Sequence, residues 1–236
     1  MTEQTTAPTR VSTADGDMTA YRWLPERRTG PGVLLLQEIF GVSRYIQRRA
    51  ADLATAGYVV LVPELYWRLG RQRVDETAED ALDQAMALAG QLQWSTAVSD
   101  AVTAFGCLQQ LDEVHGTPAV AGFCLGGGLA FNVAAETEPA ALVSYYGSTV
   151  SQLLDLAPRV TCPSLHHFGT ADDYLDMDTV RTVTAALTAD DRPVRVELHE
   201  GANHAFDNDD FQLFHPDASR RAWKATVAFL HEHLPV

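Results

Sequence analysis

Four short apolar runs punctuate the chain with almost no polar interruption: Val33-Leu34-Leu35-Leu36, Tyr58 to Val62, Ala119 to Phe123 and Ala141 to Tyr146. Runs of this length are what strands buried on both faces of a parallel sheet present. Between them the pattern changes to helical spacing. Ile46, Ala50, Leu53 and Ala54 share one face of a helix over Arg44 to Ala56, with Ser43 as its cap and Gly57 as its stop. The stretch Asp75 to Leu92 predicts an acidic helix, Ser95 to Leu111 an amphipathic one, and Leu125 to about Glu136 another. Ser164 to Phe168 and Val194 to Leu198 read as strands, and Thr179 to Leu187 and Ala218 to His233 as helices. Near the start, Asp15-Gly16 between Val11-Ser12 and Met18 to Trp23 predicts a hairpin of two antiparallel edge strands. Strands alternating with helices call for a mainly parallel, doubly wound α/β sheet covered on both faces. Residues 1–9 read as a loose polar tail, and 10–236 as one domain.

Composition narrows the function classes. At 236 residues, 46% hydrophobic and 20% charged, the chain is that of a soluble globular protein. No apolar run approaches the roughly 20 residues a membrane helix needs, and the first residues lack the basic and apolar regions of a signal peptide, so a cytoplasmic address is expected. The net charge of −14 argues against nucleic acid and anionic membranes as partners. A small molecule is the expected partner, and a monomer and a homodimer are both open. Cys107, Cys124 and Cys162 are odd in number and irregularly spaced, which fits neither a disulfide framework nor a zinc site. No metal or cofactor is expected. Cys107 and Cys162 read as structural thiols.

Cys124 differs because of its neighbours. In Gly122-Phe123-Cys124-Leu125-Gly126 an apolar strand meets a glycine-flanked turn that opens a helix, the pattern of a nucleophile elbow with sulfur as the nucleophile. A helix N-terminus favours the thiolate, the reactive form of cysteine. In parallel α/β sheets ligands bind at the carboxyl ends of the strands, which brings Glu38, Cys124, Asp172 and His204 forward. Nucleophile, acid and histidine then follow in the chain order of α/β-hydrolase triads. Asp173 and Asp176 share the loop with Asp172, and spacing from Gly169 favours Asp172. The backbone N–H of Leu125, directly after the nucleophile, and that of Ile39, in the loop after the first central strand, are the candidate oxyanion donors. His166 and His167 lie within a strand and read as packing residues, while His115, His215, His231 and His233 read as surface residues.

Five blocks in order, Gln37-Glu38-Ile39-Phe40-Gly41-Val42, Gly122-Phe123-Cys124-Leu125-Gly126-Gly127, Tyr145-Tyr146-Gly147, Phe168-Gly169-x-x-Asp172 and Ala202-Asn203-His204-Ala205-Phe206, resemble the dienelactone hydrolase family (carboxymethylenebutenolidases) from about Gly32 to the C-terminus. The resemblance implies an α/β-hydrolase fold and a cysteine hydrolase of lactones or activated esters, acting through a thioester with a Cys124-His204-Asp172 triad. It further implies that Glu38 contacts the thiol and helps deprotonate it when substrate enters. A broad-range carboxylesterase is the alternative within the enzyme class; a catalytically silent, redox-responsive binding protein is the alternative outside it. Phe40, Tyr66, Arg68, Tyr145, Phe206 and Asn208 are the candidates for substrate contact. The family binds a substrate carboxylate with two arginines, one on the helix after the Leu-Tyr loop and one four residues after the histidine. Here the second position is Asn208, and Asp75 to Leu92 has no Lys or Arg. Arg68, Arg71 or Arg73 would have to serve instead.

Overall fold

The computed structural model describes residues 7–70, 73–76, 78–189 and 192–236. Eight strands form one sheet: β1 (Ala7–Thr13), β2 (Gly16–Trp23), β3 (Gly30–Leu36), β4 (Val59–Pro63), β5 (Val114–Phe123), β6 (Leu142–Tyr145), β7 (Ser164–Gly169) and β8 (Val194–His199). Their order is β1-β2-β4-β3-β5-β6-β7-β8. All neighbours from β4 to β8 are parallel, and β2 joins antiparallel to both β1 and β4. The hairpin therefore supplies one true edge strand, not two. Its first strand also begins earlier than expected. Residues 7–9 pair with Ala20 to Arg22, while the rest of the expected tail, 1–6, lies outside the described residues.

The apolar runs are buried on both faces because consecutive side chains point to opposite layers. Leu34 and Leu36 belong to the layer that holds α3 (Trp94–Gln109), α4 (Leu125–Glu136) and α5 (Met177–Thr188); Val33 and Leu35 belong to the layer that holds α1 (Arg44–Thr55) and α6 (Pro216–His233). Ser43 caps α1 as expected, its hydroxyl accepting from the Ile46 N–H. The acidic segment is helical only over α2 (Ala81–Ala89), shorter than expected. Glu76 is drawn away from a helical path, its carboxylate accepting from the Arg44 N–H at the start of α1. A small third cluster, in which Phe40, Tyr66 and Val74 pack on Ala81, Ala85 and Leu88, seats α2 above the carboxyl end of the sheet.

At the turn from β5 into α4 two glycines permit contacts that no side chain would. A Cβ on Gly122 would lie 2.0 Å from the Gly126 carbonyl oxygen, and one on Gly126 would lie 2.3 Å from that of Leu36. By contrast, a Cβ on Gly106 in the middle of α3 meets nothing within 4 Å. Gly106→Ala is expected to stabilise the protein by about 0.5–1 kcal/mol through helix propensity. Gly126→Ala is expected to cost about 3 kcal/mol or more, because backbone must move. Urea unfolding of both variants checks the opposite signs.

Candidate active site

The β5–α4 turn presents Cys124 with φ 52° and ψ −114°, a conformation rarely held by a residue with a side chain. Its N–H donates to the Tyr145 carbonyl (3.0 Å), and its carbonyl accepts from the Gly127 N–H (2.9 Å). The sulfur lies 3.1 Å from Nε2 of His204, on the loop after β8. The other ring nitrogen, Nδ1, is 2.9 Å from Oδ2 of Asp172, on the loop after β7. The second oxygen of Asp172 accepts from the N–H groups of Tyr174 (2.8 Å) and Leu175 (3.1 Å), which fixes the carboxylate. Geometry separates the three neighbouring aspartates. Asp173 bonds to Asn203 and Asp176 caps α5, so Asp172 is the one that reaches the imidazole.

Burial opposes a charge on His204, but the Cys124 sulfur and the Asp172 carboxylate outweigh it and raise its pKa to about 10. An imidazole so placed holds a proton next to the sulfur. Leu125 is the first residue of α4, where an N–H has no acceptor within the helix. Ile39 follows β3, and its carbonyl accepts from the Tyr66 hydroxyl (2.9 Å), which pins that loop. Both residues line the same cavity as Cys124 and His204.

Glu38 is 1% exposed and also borders the cavity. The described hydrogen bonds do not join it to the thiol as expected. Its Oε1 accepts from the Asn208 amide (3.0 Å) and the Ser43 hydroxyl (3.3 Å), while the thiol faces His204. Burial first, and the Glu76 carboxylate second, push its pKa up to about 8 against those two donors.

A cavity of about 260 Å³ opens in front of the sulfur. Phe40 lines it, as expected; the other candidates for substrate contact lie elsewhere. The Tyr145 hydroxyl is paired with Thr226, beneath the site, and Phe206 is fully buried in the layer beside α6. Tyr66 is buried and serves the Ile39 loop. Asn208 serves Glu38. Arg68 borders a different cleft and is held by Asp100 and Asp15. Arg73 lies near enough to Glu64 and Tyr21 to act on their charge, and Arg71 lies outside the described residues. Sequence reasoning missed Leu82, Met86, Tyr174, Phe211 and Leu213 as cavity residues. The last two had a signal, since with Phe214 they are the apolar residues of the otherwise polar stretch 207–215. Among the described residues no group of three or more His, Cys, Asp or Glu side chains is arranged to hold a metal, and no helix is long and apolar enough to cross a membrane.

The model of the dienelactone hydrolase family matches residues 18–234. The chain belongs to the dienelactone hydrolase family. Membership places it among lactone and ester hydrolases. A carboxymethylenebutenolidase of a Pseudomonas species is 34% identical over 226 residues, covering 94% of this chain and 92% of that protein. Carboxymethylenebutenolidase 1 of Cupriavidus pinatubonensis is 34% identical over 166 residues, covering 70% and 71%. Among solved structures, one from Klebsiella pneumoniae subsp. pneumoniae, provisionally named a dienelactone hydrolase, superposes with a TM-score of 0.86 at 25% identity over 97% of this chain and 98% of that one. A dienelactone hydrolase from Anabaena variabilis shares the fold, with a TM-score of 0.71 at 19% identity over 98% of both chains.

A carboxyl group whose proton affinity is raised by burial destabilises the fold as it ionises. With the folded pKa of Glu38 about 8 and the unfolded one near the ordinary carboxylate value of 4.5, stability falls as pH rises across that window. Glu38→Gln keeps the acceptor for Asn208 and removes the titration. Its stability is expected to gain on wild type between pH 5 and pH 8, by on the order of a few kcal/mol at the upper end, with a matching rise in relative melting temperature. Parallel melting curves at the two pH values check this.

Proposed function

We propose that this family member cleaves lactones or activated esters through a thioester on Cys124, with His204 and Asp172 as its partners. The observation that carries the reading is the continuous chain from Sγ to Nε2 (3.1 Å) and from Nδ1 to Oδ2 (2.9 Å), mounted on a strained turn at a helix start. The thiolate attacks the carbonyl carbon, and the oxygen that gains the charge is met by the N–H groups of Leu125 and Ile39. As the tetrahedral intermediate collapses, the C–O bond breaks and the leaving oxygen takes the proton held by His204. Water then attacks the thioester, giving its proton to Nε2, and the C–S bond breaks to release the acid. Asp172 keeps the ring oriented and steadies its positive form throughout.

Glu38 has a second part in this scheme. It borders the same cavity as the sulfur, and with its pKa raised to about 8 its ionised fraction, which grows as pH rises through the neutral range, is a strong proton acceptor as substrate enters. The acceptor in the resting site is His204; Glu38 is the reserve on the cavity wall.

Cys124→Ala is expected to lower kcat/KM on a small aryl ester by about 10³-fold or more with an unchanged fold. Mass spectrometry of a rapidly quenched turnover should find the acyl group on the peptide that carries Cys124. Wild-type turnover by Cys124→Ala would sink the reading. Glu38→Gln should slow acylation in a single turnover more than it weakens binding, and an equal acylation rate would remove Glu38 from the mechanism.

A further inference from the structure

The cavity before Cys124 is small, about 260 Å³, below the usual range of ligand pockets. Leu82, Met86 and Ala89 of α2 line it together with Phe40, Phe211 and Leu213. Met86 and Tyr174 are about half exposed, and both belong to this cavity, so its mouth keeps apolar surface in water. Exposed apolar surface gathered around a cleft marks what the cleft receives.

No Lys or Arg lines the cavity among the described residues. Four arginines of the surrounding elements are engaged with carboxylates, Arg44 with Glu76 and Asp210, Arg48 with Asp209 and Asp210, Arg49 with Asp207, and Arg68 with Asp100 and Asp15, while Arg73 does not line the cavity and acts on the charge of Glu64. The position four residues after His204 carries the Asn208 amide, and that amide is turned onto Glu38. A carboxylate entering this space would shed its water with no lysine or arginine among the described residues to receive it; the His204 imidazolium on the wall is already paired with the Cys124 sulfur and Asp172, and the Glu38 carboxyl group and a chain of net charge −14 stand around it.

We propose that the cavity selects small neutral lactones or esters with an apolar acyl part, and discriminates against substrates that carry a carboxylate there. The proposal rests on the reading of Cys124 as the acyl-accepting group and goes further by naming the substrate class. Recognition is by apolar contact with α2 and with Phe40 and Phe211. The helix wall thus determines the acyl group, and the charge balance of the site excludes the anion.

The test is ring opening of carboxymethylenebutenolide against that of its methyl ester, two lactones that differ in one charge and one methyl group. The methyl ester is expected to have a kcat/KM about 100-fold higher, with the ratio kept in about 0.5 M salt, where long-range repulsion is screened. Met86→Arg, a substitution at a half-exposed site, should move the ratio toward the anion by about 10-fold. Equal or faster opening of the carboxylate overturns the proposal. So does a ratio that disappears in salt, which would assign the preference to overall charge, or a ratio that Met86→Arg leaves unchanged. Cys124→Ala, run alongside, separates the two readings. Its retained turnover would remove the cysteine mechanism, while the ratio, with its response to salt and to Met86→Arg, decides the substrate class.

Discussion

The site depends on a steric constraint at one turn. Cys124 holds a backbone conformation that costs about 1–3 kcal/mol for a residue with a side chain, and such strain persists only where its surroundings over-determine it. The surroundings here are backbone. Cys124 is tied through its N–H to β6 and through its carbonyl to the first turn of α4. Gly122 and Gly126 let strand and helix meet at distances that exclude any Cβ. Gly126 also abuts the carbonyls of Leu36 and Gln37, the residues that lead to Glu38 and Ile39. The packing that aims the sulfur therefore also sets its distance to the Ile39 N–H, the second oxyanion donor of the proposed scheme. Misplacing one misplaces the other.

The histidine loop is held by different means. Tyr146 and Ala205 also have positive φ, so three of the four such non-glycine residues among those described surround the site. Ala205 follows His204, and two residues further on Asp207 is fully buried. Its carboxylate accepts two bonds from Arg49, one from Tyr45 (2.5 Å) and one from Ser219 (2.8 Å), and Arg49 stacks on Trp223. A buried ion pair of this kind adds little net stability, yet loss of either partner leaves an uncompensated charge at a cost of about 3–5 kcal/mol. Its effect is positional: it ties the loop that carries His204 and Asn208 to both helices of one layer.

The parts of the fold that could be read from the chain were those with one physical cause. Continuous apolar runs require burial on both faces, and the layers on either side of the sheet follow from that. Gly122 and Gly126 around Cys124 have a single economical explanation, and His204 and Asp172 stand after strands at the end of the sheet where such loops converge. What escaped were side chains whose place depends on a partner far away in sequence. Glu76 lies in a stretch that looks helical, and nothing local says that its carboxylate leaves the helix to meet the Arg44 N–H. Tyr145 and Phe206 are aromatic residues beside the site in sequence, but strand alternation and the turn after Ala205 send them into the layer beneath. Arg68 is one of several cations in a loop, and only the fold brings Asp100 to it. The apolar wall from α2 was invisible because a short exposed helix with Leu82 and Met86 resembles any other.

One position connects the charge state of the site with its choice of substrate. At residue 208 an arginine would hold Glu38 ionised and offer a cation to an incoming carboxylate. The Asn208 amide can do neither. It satisfies Oε1 with a neutral hydrogen bond, so burial and Glu76 decide, and Glu38 keeps its proton affinity high. The same lack of charge makes the cavity easy to dry. When an apolar acyl group fills it, water leaves, the local dielectric falls and the proton affinity of Glu38 rises further, which in the proposed scheme favours transfer of the thiol proton to Glu38 in the molecules where it is ionised. An anionic substrate would bring a second negative charge into that space and work against its own binding. In the proposed scheme substrate selection and nucleophile activation thus share one cause, the neutral amide at residue 208 where a cation could stand, and a change at this position would be felt in both.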